Sequence, residues 1–293
     1  MKARKMTDAA NELLNLLDVV PVTDDLFRGI GVGGETSTRI FGGHVIAQAL
    51  ASAYLTVPDD RPCHSLHAYF LRPGNPEFSV DYQVERDRDG ATFTTRRVVA
   101  LQQGKQIFNM IASFHLPRDG WEHQHPMPDV QGPDGLLNRA ELRAAAVDRI
   151  PEPLRHDFVR ARPIEIHEVA PRDFIAPAPM DDRHSLWFRM QAARGCDPRI
   201  QHCVLAYASD LELLGSSLRP HGLTWFQNKV MTASLDHSLY FHAPVQFENW
   251  HLYSMDSPFA GTERSFNRGS IYSQEGKLVA SVAQEGLLRA VGT

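Results

Sequence analysis

The chain has 293 residues, 43% hydrophobic and 22% charged, which is the composition of a globular protein with enough apolar matter for one large domain or two ordinary ones. A net charge of −5 supplies no basic field for nucleic acid or an anionic membrane, and no apolar run approaches the roughly 18 residues of a membrane span. Cys63, Cys196 and Cys203 are scattered without a CxxC pair, which argues against a disulfide framework or structural zinc and suits a reducing compartment.

The basic start, Met1-Lys-Ala-Arg-Lys-Met6, is followed at once by Asp8 and Glu12, unlike a secretory signal, and Arg289-Ala-Val-Gly-Thr293 carries no peroxisomal address. These features give a cytoplasmic expectation. Thr7 to Leu17 reads as a helix with a capping candidate at Thr7 or Asp8 and an apolar face of Leu13, Leu14, Leu16 and Leu17. Leu26-Phe-Arg-Gly29 reads as a short strand. Phe41-Gly-Gly-His44 then opens an Ala-rich helix to Leu55. Glycines at a helix start either leave N–H groups open to a ligand or simply make a tight turn into a core helix.

Strand patterns follow at Leu66 to Leu71, Phe78 to Arg86, Thr92 to Leu101 and Gln106 to Phe114. They are punctuated by Arg72-Pro-Gly74, Asp89-Gly90 and Gln103-Gly104. A helix followed by antiparallel strands is an α+β pattern. From Pro117 to about Pro163 the texture turns to Pro, Asp, Gly and Arg, with one charged helix near Leu137 to Arg149, as in an interdomain connection. His123 and His125 alternate on an extended piece, but no carboxylate–His set at ligand spacing lies near, so no metal is expected.

The second half repeats the order of the first. A strand at Ser185 to Met190 precedes a helix at Gln201 to Leu214, a loop at Arg219-Pro-His-Gly222, and strands at Ala233 to His242, Trp250 to Asp256, Arg264 to Ser273 and Lys277 to Leu288. Residues recur too. Tyr69-Phe-Leu-Arg-Pro73 matches Tyr240-Phe-His-Ala-Pro244, Phe93-Thr-Thr-Arg96 loosely matches Ser265-Phe-Asn-Arg268, and Gly104-Lys-Gln-Ile107 matches Gly276-Lys-Leu-Val279, at an interval constant to within a residue. Two such copies can join edge strands into one continuous sheet. Aligned on the helices, Asp210 falls opposite about Gln48, and aligned on the last strands, Gln284 falls opposite Ala112, so the second copy carries polar groups where the first is blander.

Asp210 borders the apolar stripe of Val204, Leu205, Ala208, Leu211 and Leu214. An ionised acid there is expensive to bury without donors. It is either an Asp satisfied by backbone at the edge of the stripe or an acid whose pKa is tuned for chemistry.

Five stretches in order resemble the acyl-CoA thioesterase II family: Phe41-Gly-Gly-His44, His64-Ser-Leu-His-Ala-Tyr-Phe-Leu-Arg-Pro-Gly74, Leu205-Ala-Tyr-Ala-Ser-Asp210, Ser234-Leu-Asp-His-Ser238 and Val282-Ala-Gln-Glu-Gly286. The resemblance runs from about Leu13 to Arg289. It implies an α+β double hotdog: an N-terminal hotdog domain over 1–118, a linker over 119–165, and a C-terminal hotdog domain over 166–293 carrying the catalytic residues. It implies hydrolysis of fatty acyl-CoA to free acid and CoA without metal or bound cofactor, and a homodimer or homotetramer. Carried over residue by residue, the family's Asp, Thr or Ser, and Gln fall on Asp210, Ser234 and Gln284, with Gly42 and Gly43 near the thioester.

The chemistry agrees with those roles. A carboxylate can take a proton from an attacking water or, as the alternative, attack the thioester directly to form an anhydride, and a hydroxyl and an amide can hold the water in line. Asp236 and His237 are adjacent on a strand, point to opposite faces and are read as structural. His64 and His67 are placed on opposite faces for the same reason, with His64 an outside candidate. The competing readings are a non-catalytic acyl-CoA-binding hotdog protein and a hotdog enoyl-CoA hydratase. The hydratase would need a His soon after the Asp, whereas the first is His221, beyond a proline.

Overall fold

A computed structural model describes residues 2–33, 38–227 and 229–291. In the first half, helix α1 (Lys2–Leu17), strands β1 (Val20–Thr23) and β2 (Leu26–Gly29) and helix α2 (Gly42–Tyr54) lead into β3 (Cys63–Phe70), β4 (Val80–Asp89), β5 (Phe93–Gln102) and β6 (Lys105–His115). Two short helices follow, α3 (Arg139–Ala146) and α4 (Glu152–Val159). The second half holds β7 (Glu165–Glu168), β8 (His184–Arg189), helix α5 (Pro198–Ser209), and β9 (Val230–Ser234), β10 (Asp236–Phe241), β11 (His251–Gly261), β12 (Arg264–Ser273) and β13 (Leu278–Ala290).

The strands form one antiparallel sheet, ordered β1-β2-β4-β5-β6-β3-β10-β13-β12-β11-β8-β7, with β9 also on β13. The halves meet at the β3–β10 seam, where Leu239 lies opposite Leu66 and Ser238 opposite His67. The period-two pattern selects the inner face. Val80, Tyr82 and Val84 on β4 and Arg96, Val98 and Ala100 on β5 are buried, while their neighbours turn outward.

On that face lie α2 and α5, packed against each other. Nearly every residue of α2 is buried, which its Ala-rich sequence permits, since small side chains let helix and sheet approach closely. The helices run antiparallel: Gly43 at the start of α2 meets Asp210 at the end of α5, and Tyr54 at the end of α2 meets His202 near the start of α5. The repeat shows in one further device. Tyr82 on β4 donates to Gln48 Oε1 on α2, and Tyr253 on β11 donates to the Ser209 carbonyl on α5, each at 2.7 Å.

The structure departs from the sequence expectations in several places. Helix α5 stops at Ser209 and Asp210 is its C-cap, not a mid-helix residue; Leu214–His221 is a separate 3-10 segment. The expected strand Ala233 to His242 is two strands broken at Leu235. Arg96 and Arg268 are not equivalent. Arg96 faces inward opposite Ala112, and the residue opposite Gln284 is Asn267; Arg268 is turned out and paired with Asp256. The 119–165 segment does more than connect. Met127, Val130 and Leu136 cover an outer-face cluster of Trp187, Trp250, Leu252 and Tyr272, and Trp187 donates to the Gln131 carbonyl.

Gly269 on β12 makes room for the Tyr253 ring, which a Cβ there would overlap. Gly269→Ala is expected to cost about 1–3 kcal/mol by overpacking, read as a lower denaturant midpoint with unchanged slope.

Candidate active site

Helix α5 starts with Asp197 accepting from the Arg199 N–H and Pro198 in the first turn, where a missing N–H costs nothing. It ends because Glu212 adopts a left-handed backbone, φ 63°, two residues beyond Asp210. A non-glycine residue holds that conformation only when its surroundings fix it. Here Arg139 of α3 donates to Glu212 at 2.8 Å and to Glu168 at 2.7 Å.

Asp210 is buried, 8% exposed, and each of its oxygens has a donor. The Gly43 N–H at the start of α2 donates to Oδ2 at 2.8 Å, and Gln284 Nε2 on β13 donates to Oδ1 at 2.6 Å. A Cβ on Gly42 would lie 2.6 Å from Oδ2, and one on Gly43 would strike the Tyr207 carbonyl, so both glycines serve a close approach of α2 to the end of α5. The Gly43 N–H is therefore engaged by Asp210 itself. Burial pushes the Asp210 carboxyl up to about 6, against the two donors, which favour the charged form.

Gln284 is 1% exposed. Its amide also donates to His237 Nδ1 at 3.1 Å, while Oε1 accepts from none of the described residues. Ser234 lies opposite Gly286 on β13, two residues from Gln284 and so on the same face, but its hydroxyl makes no hydrogen bond to Asp210 or Gln284. Gln284 and Gly43 thus both bond to Asp210, Gly42 abuts it, and Ser234 lies on the strand face that Gln284 shares.

His237 is the site residue that the sequence reading put among the structural ones. It is fully buried, lies 3.8 Å from Asp210 Oδ1, and its Nε2 contacts Ser209 Oγ at 2.9 Å. The reason is a register shift. Ser234 pairs with Gly286, but Ser238 pairs with Ala283, so β9 and β10 use one residue more than β13 across the break at Leu235. Such a bulge reverses the side-chain alternation beyond it, and Ser234 and His237, three apart, both point inward. Asp236 does point away, accepting from the Glu285 N–H at 2.6 Å, so the two never meet. A register shift between Cys63 and Ser65 likewise puts His64 and His67 both outward, on Ser113 Oγ and Ser238 Oγ, and His64 is remote from Asp210. Among the described residues no group of three or more His, Cys, Asp or Glu could hold a metal. No helix among them is long and apolar enough to cross a membrane.

Two family models match the chain: the acyl-CoA thioesterase N-terminal domain over residues 34–115 and acyl-CoA thioesterase over 155–287. The chain is 36% identical to acyl-CoA thioesterase 2 of Haemophilus influenzae over 97% of its own length and 99% of that protein's. The chain belongs to the acyl-CoA thioesterase family. This thioesterase is a hydrolase of acyl-CoA thioesters. Among solved structures it resembles acyl-CoA thioesterase II TesB2 from Mycobacterium marinum, at 37% identity and a TM-score of 0.78, covering 96% of this chain and 99% of the other. A conserved protein with hot dog fold from Alicyclobacillus acidocaldarius, 19% identical, matches at a TM-score of 0.77 over 96% and 99% of the two chains and bears on the fold alone. The fold of the thioesterase is the α+β double hotdog.

Burial also holds several histidines of the thioesterase neutral: His44, His184 and His202 at about 4 and His237 at about 3, against an ordinary 6.5. Between those values the unfolded chain binds protons that the folded one refuses, so stability is full above pH 6.5 and falls as pH drops toward 4. Each such group contributes on the order of 3 kcal/mol. Asp210, raised to about 6, works the other way but is a single group. Urea unfolding is expected to show a distinctly lower midpoint at pH 4.5 than at pH 7.5.

Proposed function

We propose that Asp210 is the general base of the thioesterase and that a water, not the carboxylate, attacks the thioester carbonyl. The observation that carries this reading is a buried carboxylate oriented by two donors beside an unpartnered amide oxygen, Gln284 Oε1. Asp210 takes a proton from the water as its oxygen bonds to the carbonyl carbon. The C–S bond then breaks, and the proton passes to the departing CoA thiolate, leaving the free acid. Gln284 Oε1 accepts the water's second hydrogen, and Ser234, on the same face, supplies a hydroxyl to hold it. Both Gln284 N–H groups are spent on Asp210 and His237, so the developing oxyanion must find its donors elsewhere. In the N-terminal turn of α2 the Gly43 N–H is held by Asp210 and the His44 and Val45 N–H groups by the Phe41 carbonyl, so the candidate is the Gly42 N–H together with the positive dipole end of the helix, the two glycines bringing the thioester close.

The substrates of this reading are fatty acyl-CoA esters, the enzyme is cytoplasmic, and it works as a homodimer or homotetramer. The division into domains at 1–118, 119–165 and 166–293 is part of the same proposal. It is supported by the two separate family-model matches, over 34–115 and 155–287, the second of which begins within the last part of the connecting segment.

The test is release of free thiol from acyl-CoA esters of graded chain length. Asp210→Asn is expected to lower kcat by roughly three orders of magnitude or more, and Ser234→Ala by roughly ten- to hundredfold. In the native enzyme kcat/KM should rise through pH 6 as Asp210 ionises and level off above it. Undiminished release by folded Asp210→Asn would discard the assignment. No release by the native protein on any chain length would favour a binding protein.

A further inference from the structure

Two residues of the site remain without a role in this reaction, His237 and Ser209. Both are fully buried and polar, and the cost of burying such groups demands that their hydrogen bonds be accounted for. The accounting has one solution. The Ser209 hydroxyl donates to the Ala206 carbonyl at 2.9 Å, so toward His237 it can only accept. His237 Nε2 therefore carries the proton, and a neutral imidazole protonated at Nε2 has a lone pair on Nδ1. That lone pair faces Gln284 at 3.1 Å and can take only an N–H. The amide nitrogen of Gln284 is thereby turned to His237, its other N–H reaches Asp210 Oδ1 at 2.6 Å, and Oε1 is left over. The chain of bonds begins on a carbonyl of α5 and returns to the end of the same helix. Tyr253 pins the Ser209 carbonyl from β11 at 2.7 Å, so its anchor is doubly fixed.

We propose that His237, with Ser209, is a positioning pair that sets which way the Gln284 carboxamide faces, keeping an N–H on Asp210 and the carbonyl oxygen free for water. An amide is nearly symmetric in shape, and packing alone cannot choose between its two orientations; only donor and acceptor chemistry can. A flipped amide would set an oxygen against the Asp210 carboxylate and withdraw the acceptor from the water. The first half of the chain shows the alternative. At the equivalent point of its sheet Leu66 lies opposite Ala112, so neither the His nor the Gln is needed to build the fold.

This inference rests on Asp210 acting as the base. The groups that face Asp210 are the Gly43 N–H from α2, Gln284 from β13, neutral His237 from β10 and, from β11, Tyr253, whose hydroxyl Asp210 makes harder to ionise. Of these only the Gln284 donation depends on His237. Its loss removes a donor from the carboxylate and moves the acid limb of kcat/KM to higher pH.

The experiment measures kcat, KM and the pH profile of His237→Leu, His237→Asn, Ser209→Ala and Asp210→Asn beside the native enzyme. His237→Leu borrows the side chain of the first half. It should lower kcat roughly ten- to hundredfold with KM little changed, and raise the acid limb by about half a pH unit or more. The Asn carboxamide oxygen is as many bonds from Cα as His Nδ1, so His237→Asn keeps an acceptor for Gln284. It should be at least about tenfold more active than His237→Leu, with the limb near its native position. Ser209→Ala, a minimal change that guards against misfolding of the Leu variant, should lower kcat several-fold and move the limb the same way. Native-like kcat and an unmoved limb in folded His237→Leu and Ser209→Ala would overturn the inference while a dead Asp210→Asn kept the base. An active Asp210→Asn would overturn both.

Discussion

One buried carboxylate held between the ends of two antiparallel helices is the constraint that the rest of this structure answers. Taking Asp210 out of water is costly, and its raised pKa records the part that its partners do not offset. The end of its own helix is the wrong place for a negative charge. The start of α2, which brings the Gly43 N–H, is the right one. Two glycines in succession are the consequence, because any side chain at Gly42 or Gly43 would hold α2 away from Asp210 or from the Tyr207 carbonyl beside it. Neutral histidine is another. A charged imidazole 3.8 Å from Asp210 would restore an ordinary, fully ionised acid, and burial prevents it.

Duplication shows what the scaffold does without that constraint. Both halves place a tyrosine hydroxyl on the central helix, from Tyr82 and Tyr253. Around the equivalent strands the first half carries Leu66, Ala112 and Arg96 where the second has His237, Gln284 and Asn267. Arg96 is fully buried, yet it spends its donors on Thr56, Asp89 and the Arg88 and Thr95 carbonyls. It is a satisfied core cation, closed to further chemistry. The second half instead leaves acceptors open at Gln284 Oε1 and at Asn267 Oδ1, residues opposite one another on β13 and β12. A structure ordinarily avoids unpaired buried acceptors, and two side by side mark a place organised for something other than stability.

Much of this was legible from the residues because period and punctuation carry most of the information about strands and helices. The alternation on β4, the glycine pair before α2 and the repeated Tyr-Phe and Gly-Lys segments were enough for an α+β duplicate. What failed did so for two kinds of reason, parity and period. Parity arguments assume an unbroken strand, and two single-residue shifts, at Leu235 and between Cys63 and Ser65, reverse parity without leaving any mark in composition. His237 was misread and His64 misplaced through those shifts. The end of α5 was misjudged because Leu211 and Leu214 continue the apolar period after the backbone has left the helix, and a charged residue, Glu212, takes the left-handed turn usually given to glycine.

That last substitution explains why the connecting segment cannot be an indifferent tether. Glu212 keeps its unfavourable backbone because Arg139 reaches it from α3, and Arg139 is itself fixed by Glu168 on β7. Asn138 caps α3 through the Ala140 N–H, which orients the arginine that follows it. The stretch just before α3 covers Trp187 and Trp250 on the outer face of the second half through Met127, Val130 and Leu136, so the connecting segment is packed down immediately ahead of the helix. The place where α5 stops, and with it the place of Asp210, is thus determined by residues some seventy positions earlier in the chain. An acid that must meet a backbone N–H on one side and an amide on the other tolerates little drift in its helix end. The segment between the halves supplies the clamp that removes it.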